Sequence, residues 1–527
     1  MNLEVQASMG MVEDSCASET SYTVVTFAPV QGFIGSSRKL RDLYGSSLLL
    51  SVLAKAIYDD AHERGFEVLS PALVNTARGT PNLLVINGPY KKGYGQDALQ
   101  KTWVHILDAT RQWLESNLPQ FNYHWEPVWK QWQNHAWEYF HAQGSTISQA
   151  RKHLALVKQQ RAWSGINWSG ESSTLGGSDA VARPSLGLVV DPRFISNAQY
   201  KEEATAFIRA LQDLQPLGEP FAGVGEQLSL PELIKRLVTY PAIAKNAFKD
   251  EQLINVLPKR FDAIANSCNL VWFMADGDEV GKYLAKNSQG NQNQEAAALK
   301  SFSNAMRSWA TKLYEDIPKH TGQKSTVVYA GGDDLLGALH DRPGFEGDGI
   351  GEPLCSNDLV NWLKIFPSIW REHGQNITVS MGLVYVSAKV PQREALEQVR
   401  LAESRAKALG RDRFALRLLF SGGQSIEWVC PWCELPRILN GYRDRENRQM
   451  ENAHWGHLAS DLISLDSRRA IKGKSDTAKA VANAIWDIYF PGLEAPKDLN
   501  QPLGDWLVAL SQVFSRLLKP NKQEVNS

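Results

Sequence analysis

Cysteine is scarce in this chain: there are five in 527 residues, and Cys16, Cys268 and Cys355 stand alone, which excludes a scaffold built on disulfides. Long apolar runs are missing as well. None is long enough to span a membrane, and Met1 to Tyr22 is polar and acidic rather than a signal peptide, so a cytoplasmic protein is expected. Nor is there a surplus of one charge. Lys+Arg at 56 against Asp+Glu at 57 leaves a net charge of -1, which argues against broad autonomous affinity for nucleic acid. Any RNA contact is then local or shared with partners. What the chain does have is length and a hydrophobic fraction of 43%, enough for three or four globular domains.

The most informative stretch is Val327-Val328-Tyr329-Ala330-Gly331-Gly332-Asp333-Asp334-Leu335-Leu336, two apolar runs joined by Gly-Gly and two carboxylates. Paired glycines tolerate positive φ and admit a close backbone approach, and Gly-Gly between β-type runs signals a hairpin. Adjacent aspartates at a strand tip repel each other, and hard oxygen ligands suit Mg²⁺ or Mn²⁺. The alternative is a solvated tip. A second acidic strand end weighs against it: the apolar run from Leu270 opens directly onto Asp276 and Asp278.

Between them, Ala297, Leu299, Phe302, Ala305, Met306, Trp309 and Leu313 are spaced as one helix face within Ala296 to Ile317. Strand, helix and hairpin make half of a βαββαβ palm. The rest follows as a strand over Ile377 to Val386, a helix from Pro391 to about Leu409 capped by Gly410, and a last strand over Phe414 to Phe420. In an antiparallel ferredoxin-like sheet the first strand neighbours the hairpin, so Asp276, Asp333 and Asp334 can converge on one or two metal ions. That chemistry is phosphoryl or nucleotidyl transfer.

The order DGDEVG, YAGGDDLL, SMGLVYVSAKVP and AESRAKALGRDR resembles the second palm of the large subunit of type III CRISPR RNA-guided effector complexes (Cmr/Csm-type), relatives of GGDEF and nucleotide cyclase domains. Phe27 to Ser47 resembles the first palm of that family, and Gly79 to Ile86 and Gly225 to Leu237 also match its pattern. The resemblance implies an α+β chain of two ferredoxin-like, cyclase-like palm domains with helical linking and C-terminal domains. The expected division is a tail over 1–21, a first, degenerate palm with a Trp-rich helical insert over 22–163, and a Gly/Ser-rich linker or loop over 164–199. A helical linking domain follows over 200–265, then the second palm over 266–425 and a C-terminal helical domain over 426–527.

By the same resemblance, the second palm converts ATP into cyclic oligoadenylates when CRISPR RNA has paired with target RNA, in a ribonucleoprotein with repeat-type backbone subunits and small helical subunits. Asp276, Asp333 and Asp334 are implied as metal ligands, with Gly331 and Gly332 giving access to phosphate. Lys407 is implied at the triphosphate and Ser380 near the base. Asp278 is either a polar neighbour of the site or an N-cap of the following helix, since Asp is favoured there. Lys407 has a competing reading as a surface charge paired with Glu403, four residues before it. A catalytically silent structural subunit is the alternative. A stand-alone diguanylate cyclase fits less well, because Asp334-Leu335 stands where that family needs an acidic residue and an aromatic.

Many members of the family carry an N-terminal HD nuclease; about twenty residues before the first palm strand leave no room for one, and His340-Asp341 reads as a turn, so no DNase activity is expected of this chain. Cys430 and Cys433 with His454 and His457 have zinc-like internal spacing, against which Trp428 to Leu439 reads as the opening of the C-terminal helical domain. Eight of the seventeen tryptophans lie between Trp103 and Trp168. Lys101 to Phe140 reads as two amphipathic helices whose aromatics pack on the palm or a neighbouring subunit, with stacking on RNA bases as the alternative.

Overall fold

The computed structural model describes residues 21–160, 166, 168, 170–188, 197–214, 222–223, 225–248, 253, 264, 267–287, 292–342, 351–387, 390–420, 422–449 and 452–518. Residues 1–20 of the expected tail, Trp163, and residues 164, 165, 167, 169 and 189–196 of the Gly/Ser-rich linker lie outside them.

The first sheet is built from β1 (Tyr22–Ala28), β2 (Glu67–Ser70), β3 (Leu84–Asn87) and β4 (Glu138–Gly144), in the order β2-β3-β1-β4 and antiparallel throughout. Helices α1 (Val30–Gly35) and α2 (Leu40–Glu63) leave β1, α3 (Lys92–Asn117) and α4 (Glu126–His135) precede β4, and α5 (Ile147–Gln159) follows it. The expected second helix of the Trp-rich segment therefore stops early, because 138–140 already belong to β4. Alternation along β1 explains its nearly unbroken burial. Tyr22 and Val24 face a core shared with the second sheet, while Val25 and Phe27 face one shared with α2, α3, α6 (Asn197–Asp213), α7 (Leu230–Leu237) and α8 (Pro241–Phe248). Trp103, Trp125 and Trp129 are buried in that second core, so their packing role is met inside the chain.

Tight contact locks α7 onto α2. A Cβ at Gly45 would lie 1.8 Å from the Lys235 carbonyl, and Arg236 forms a bidentate pair with Asp42 at 2.8 Å and a further bond to Glu226 at 2.9 Å. Arg236 raises the charged form's weight at Glu226, whose pKa falls to about 2 in spite of burial.

The second sheet joins β5 (Asn269–Gly277), β6 (Ser325–Ala330), β7 (Asp334–Leu339), β8 (Val379–Ser387), β9 (Arg413–Leu419) and β10 (Ser425–Pro431) in the order β10-β9-β8-β5-β7-β6. Its β6-β7-β5-β8 part repeats the order of the first sheet. Helices α9 (Val280–Asn287), α10 (Gln292–His320) and α11 (Ser356–Arg371) lie within that repeat, and α12 (Gln392–Ala408) carries the chain from β8 to a parallel β9. Leu299, Phe302, Met306, Trp309 and Leu313 of α10 are buried in the expected stripe. Helix α12 packs so closely that a Cβ at Gly382 of β8 would lie 2.3 Å from the Glu403 amide nitrogen.

Two expectations need correction. The helix that completes the βαββαβ unit is α11 rather than the expected helix from Pro391; that helix, α12, and β9 extend the palm. The apolar stretch from Trp428 also opens as strand β10 in full register with β9, and helix begins only at α13 (Glu434–Gly441). Helices α14 (Gly456–Ser467), α15 (Asp476–Tyr489) and α16 (Leu503–Leu517) complete the chain, and α16 docks on β10 through the Trp506 indole, which donates to the Val429 carbonyl at 2.7 Å. No helix among the described residues is long and apolar enough to cross a membrane.

Candidate active site

The candidate site forms where β5 ends beside the β6–β7 turn. Register pairs Asp276 with Asp334 on one side and with Ser380 on the other, and the Gly277 amide donates to the Asp333 carbonyl at 3.0 Å. Two adjacent strand ends thus bring the Asp276 carboxylate near enough to act on those of Asp333 and Asp334. Burial and the Asp276 charge push Asp333 up to about 6, against the pull of Lys407 and Arg151. Burial, Asp333 and Asp276 push Asp334 up to about 7, opposed by a hydrogen bond from Tyr329. Half-buried carboxylates that resist ionising together are a group that a cation would relieve.

Lys407 supplies part of that cation. Its Nζ lies 2.5 Å from Asp276 Oδ2 and 2.5 Å from Glu403 Oε1. Burial draws the ammonium down, but Asp276 and Glu403 hold it above its ordinary range. Both readings of Lys407 are therefore present in one geometry: the helix pair with Glu403 exists, and it aims the ammonium at the site.

Asp278 does not cap α9. Its carboxylate is buried and accepts from the Thr378 hydroxyl at 2.9 Å, the Ser380 hydroxyl at 2.7 Å and the Asp412 amide at 3.0 Å. Ser380 is fully buried with its hydroxyl on Asp278, so that pair ties β5, β8 and the α12–β9 turn together beneath the carboxylates.

The glycines of the turn act through space rather than through backbone freedom, since neither Gly331 nor Gly332 has positive φ. A Cβ at Gly331 would lie 1.7 Å from the Tyr329 hydroxyl and 2.7 Å from Asp334 Oδ1, whereas Gly332 has open space around it. Arg307 of α10, 3% exposed, donates to the Ala330 and Gly331 carbonyls at 3.2 and 3.1 Å. Nothing in the sequence marks Arg307, Tyr329 or Arg151 for a role at the site. Their parts depend on long-range approach and leave no local pattern.

A cleft of about 440 Å³ opens over the site, lined by Asp276, Asp334, Tyr329, Arg400, Glu403, Ser404 and Lys407 from the second palm and by Gln31, Ile34, Leu43 and Ser47 from α1 and α2. A neighbouring cleft shares Gln31, Ile34, Ser47, Tyr329 and Asp334 and reaches Asn82 and Lys158. Carboxylate oxygens beside a half-buried ammonium suit a divalent cation with a polyphosphate, and Asp276, Asp333 and Asp334 are the residues that would hold Mg²⁺ or Mn²⁺. Among the described residues, no three His, Cys, Asp or Glu side chains are gathered closely enough to enclose an ion, and Asp276 has Lys407 as its counter-charge.

The zinc candidates do not assemble. Cys430 is buried with its thiol on the Pro431 carbonyl at 3.3 Å and Cys433 is exposed at the start of α13, while His454 and His457 stack on each other beside Asp444. His340 is a structural residue, within 2.9 Å of the Thr326 hydroxyl and 2.7 Å of the Asp341 carbonyl.

Residues 269–415 match the family model of the Cas10/Cmr2 second palm domain, and residues 22–87 match that of the N-terminal part of the CRISPR-associated protein Cmr2. No curated protein matches. Among solved structures, the apo state of a type III-B Cmr-beta complex aligns with a TM-score of 0.58 at 11% identity, over 95% of this chain and 82% of that one. Cmr-beta bound to cognate target RNA aligns at 0.56 and 11%, over 95% and 83%. An apo Csm1-Csm4 cassette aligns at 0.50 and 11%, over 97% and 72%. At such identities the structural likeness speaks for the fold.

Proposed function

We propose, from the premise that this chain belongs to the Cas10/Cmr2 family of type III CRISPR large subunits, that its second palm joins ATP molecules into cyclic oligoadenylates. Each joining step forms a bond between a ribose 3′-oxygen and the α-phosphorus of another ATP, breaks the bond from that phosphorus to the β-phosphate bridge, and releases pyrophosphate. The observation that carries this reading is the meeting of Asp276, Asp333 and Asp334 at two strand ends, with Lys407 already paired to one of them.

Mg²⁺ or Mn²⁺, when bound, supplies neutralisation of the phosphate charge and activation of the 3′-hydroxyl. Asp276, Asp333 and Asp334 would hold the ions, and Lys407, released from Asp276, would turn to the triphosphate while Glu403 keeps its ammonium within reach. Asp278 and Ser380 fix the strand ends from below. Arg307 keeps the turn carbonyls in place. Catalysis is thereby mostly positioning and charge neutralisation.

The chain works within a ribonucleoprotein of CRISPR RNA, repeat-type backbone subunits and small helical subunits, and pairing with target RNA turns synthesis on. Its similarity in fold to Cmr-beta bound to cognate target RNA supports that setting. The test is to incubate the purified complex with ATP, Mg²⁺ and matching or mismatched target RNA and to separate the products by mass. Adenylate rings that appear only with the matching RNA are expected; an intact complex that forms none would overturn the proposal, and joining of GTP alone would point to a different cyclase.

A further inference from the structure

The turn that carries Asp333 and Asp334 is braced from outside its own domain. The loop between β2 and β3 of the first palm lies along α10 and touches it at four positions on one face. Ser303 accepts from the Ala72 amide at 2.8 Å, and Arg307 donates to the Leu73 carbonyl at 3.0 Å. One turn further on, the Thr311 carbonyl accepts from Arg78, and the Tyr314 hydroxyl donates to the Arg78 carbonyl at 2.8 Å. Arg307 also holds the Ala330 and Gly331 carbonyls, so a single buried guanidinium joins this loop to the turn.

The same loop reaches Tyr329. Gly79, at φ +85°, lies so close that an added Cβ would sit 2.6 Å from Cδ2 and Cε2 of the ring. Pressed from that side, the ring carries its hydroxyl into the space that Gly331 leaves empty, where an added Cβ would lie 1.7 Å from the hydroxyl and 2.7 Å from Asp334 Oδ1, so the two groups flank one small gap. A tyrosine hydroxyl that donates to one carboxylate oxygen fixes which way the other points.

We propose that Tyr329 is a positioning residue for Asp334, held in its working orientation by Gly79 of the first palm. The metal-holding turn is therefore set jointly by both palms, and a shift of the β2–β3 loop reaches Asp334 through the Tyr329 ring. This rests on the reading of Asp334 as a metal ligand.

Mn²⁺ titration of the full chain, followed by electron paramagnetic resonance, tests it with three variants. Tyr329→Phe keeps the ring against Gly79 and removes only the hydroxyl; the dissociation constant for Mn²⁺ should rise roughly tenfold with the melting temperature kept. In the assembled complex its kcat should fall while KM for ATP holds, a split that a merely structural role would not produce. Gly79→Ala should repeat the defect, and combining the two should add little to either loss. Asp334→Ala separates the premises. If Asp334→Ala loses Mn²⁺ binding while Tyr329→Phe binds as the wild type does, the positioning role is overturned alone. If Asp334→Ala binds Mn²⁺ as the wild type does, the metal reading falls and this inference falls with it. The Tyr329→Phe arm decides the role of the hydroxyl however well Gly79→Ala folds.

Discussion

Asp334 illustrates a cost that active sites accept. Burial and the Asp276 carboxylate raise Asp333 to about 6, and burial with Asp333 and Asp276 raises Asp334 to about 7, so the folded chain binds protons more readily than the unfolded one. The stability linked to these groups is full in acid, below the ordinary carboxylate range, and is lost as pH rises through 6 and 7 in the absence of metal. Asp334→Asn should therefore melt higher than the wild type at about pH 8, with the gap closing near pH 4; equal melting at the higher pH would contradict the electrostatic account. Glu226 carries the opposite sign. Its pKa is held at about 2, so its contribution is present above the ordinary glutamate value and is lost as pH falls towards 2. Glu226→Gln should cost on the order of 3 kcal/mol at neutral pH by urea unfolding, and progressively less in acid. That the three aspartates and Lys407 come near one another was legible, because each sits at a strand end or on a helix stripe with a local signature. Arg307 was not, since its three carbonyl partners lie on two distant segments.

Elements were legible in proportion to the regularity of their patterns. Strand β5, the β6–β7 hairpin and α12 announce themselves by apolar runs, Gly-Gly and a capped amphipathic stripe. Helix α11 carries a buried face of Leu359, Val360, Trp362, Leu363 and Phe366, yet Pro367 lies inside it and the sequence before it has no helical period. Strand β10 is a short apolar run, which periodicity alone cannot tell from the opening of a buried helix; pairing with β9 and the docking of α16 decide it. The seam between α12 and β8 makes a testable element. Because a methyl at Gly382 would meet backbone atoms of α12, Gly382→Ala should cost about 1–3 kcal/mol in urea unfolding. It should also shift Glu403 and Lys407 away from Asp276, which is measurable as weaker ATP binding; an unchanged unfolding midpoint would show that the helix has room to move.

Across the whole molecule, two sheets share one strand order, and the second core joins α2 and α3 to α6, α7 and α8 while the first sheet also packs on the second. The duplicated palm was legible as a pattern of motifs, but the way the first palm supports the second was not, because it lies in side-chain contacts such as Gly79 against Tyr329. In the proposed reaction the paired aspartates of the second palm would hold the divalent ions needed to join ATP. The most direct measurement compares wild-type and Asp333→Ala/Asp334→Ala chains in the assembled complex, with ATP, Mg²⁺ and matching target RNA, by mass spectrometry of the products. The variant should assemble and bind target RNA as the wild type does yet form no oligoadenylate; a variant that still makes the rings would contradict the metal-holding role of Asp333 and Asp334.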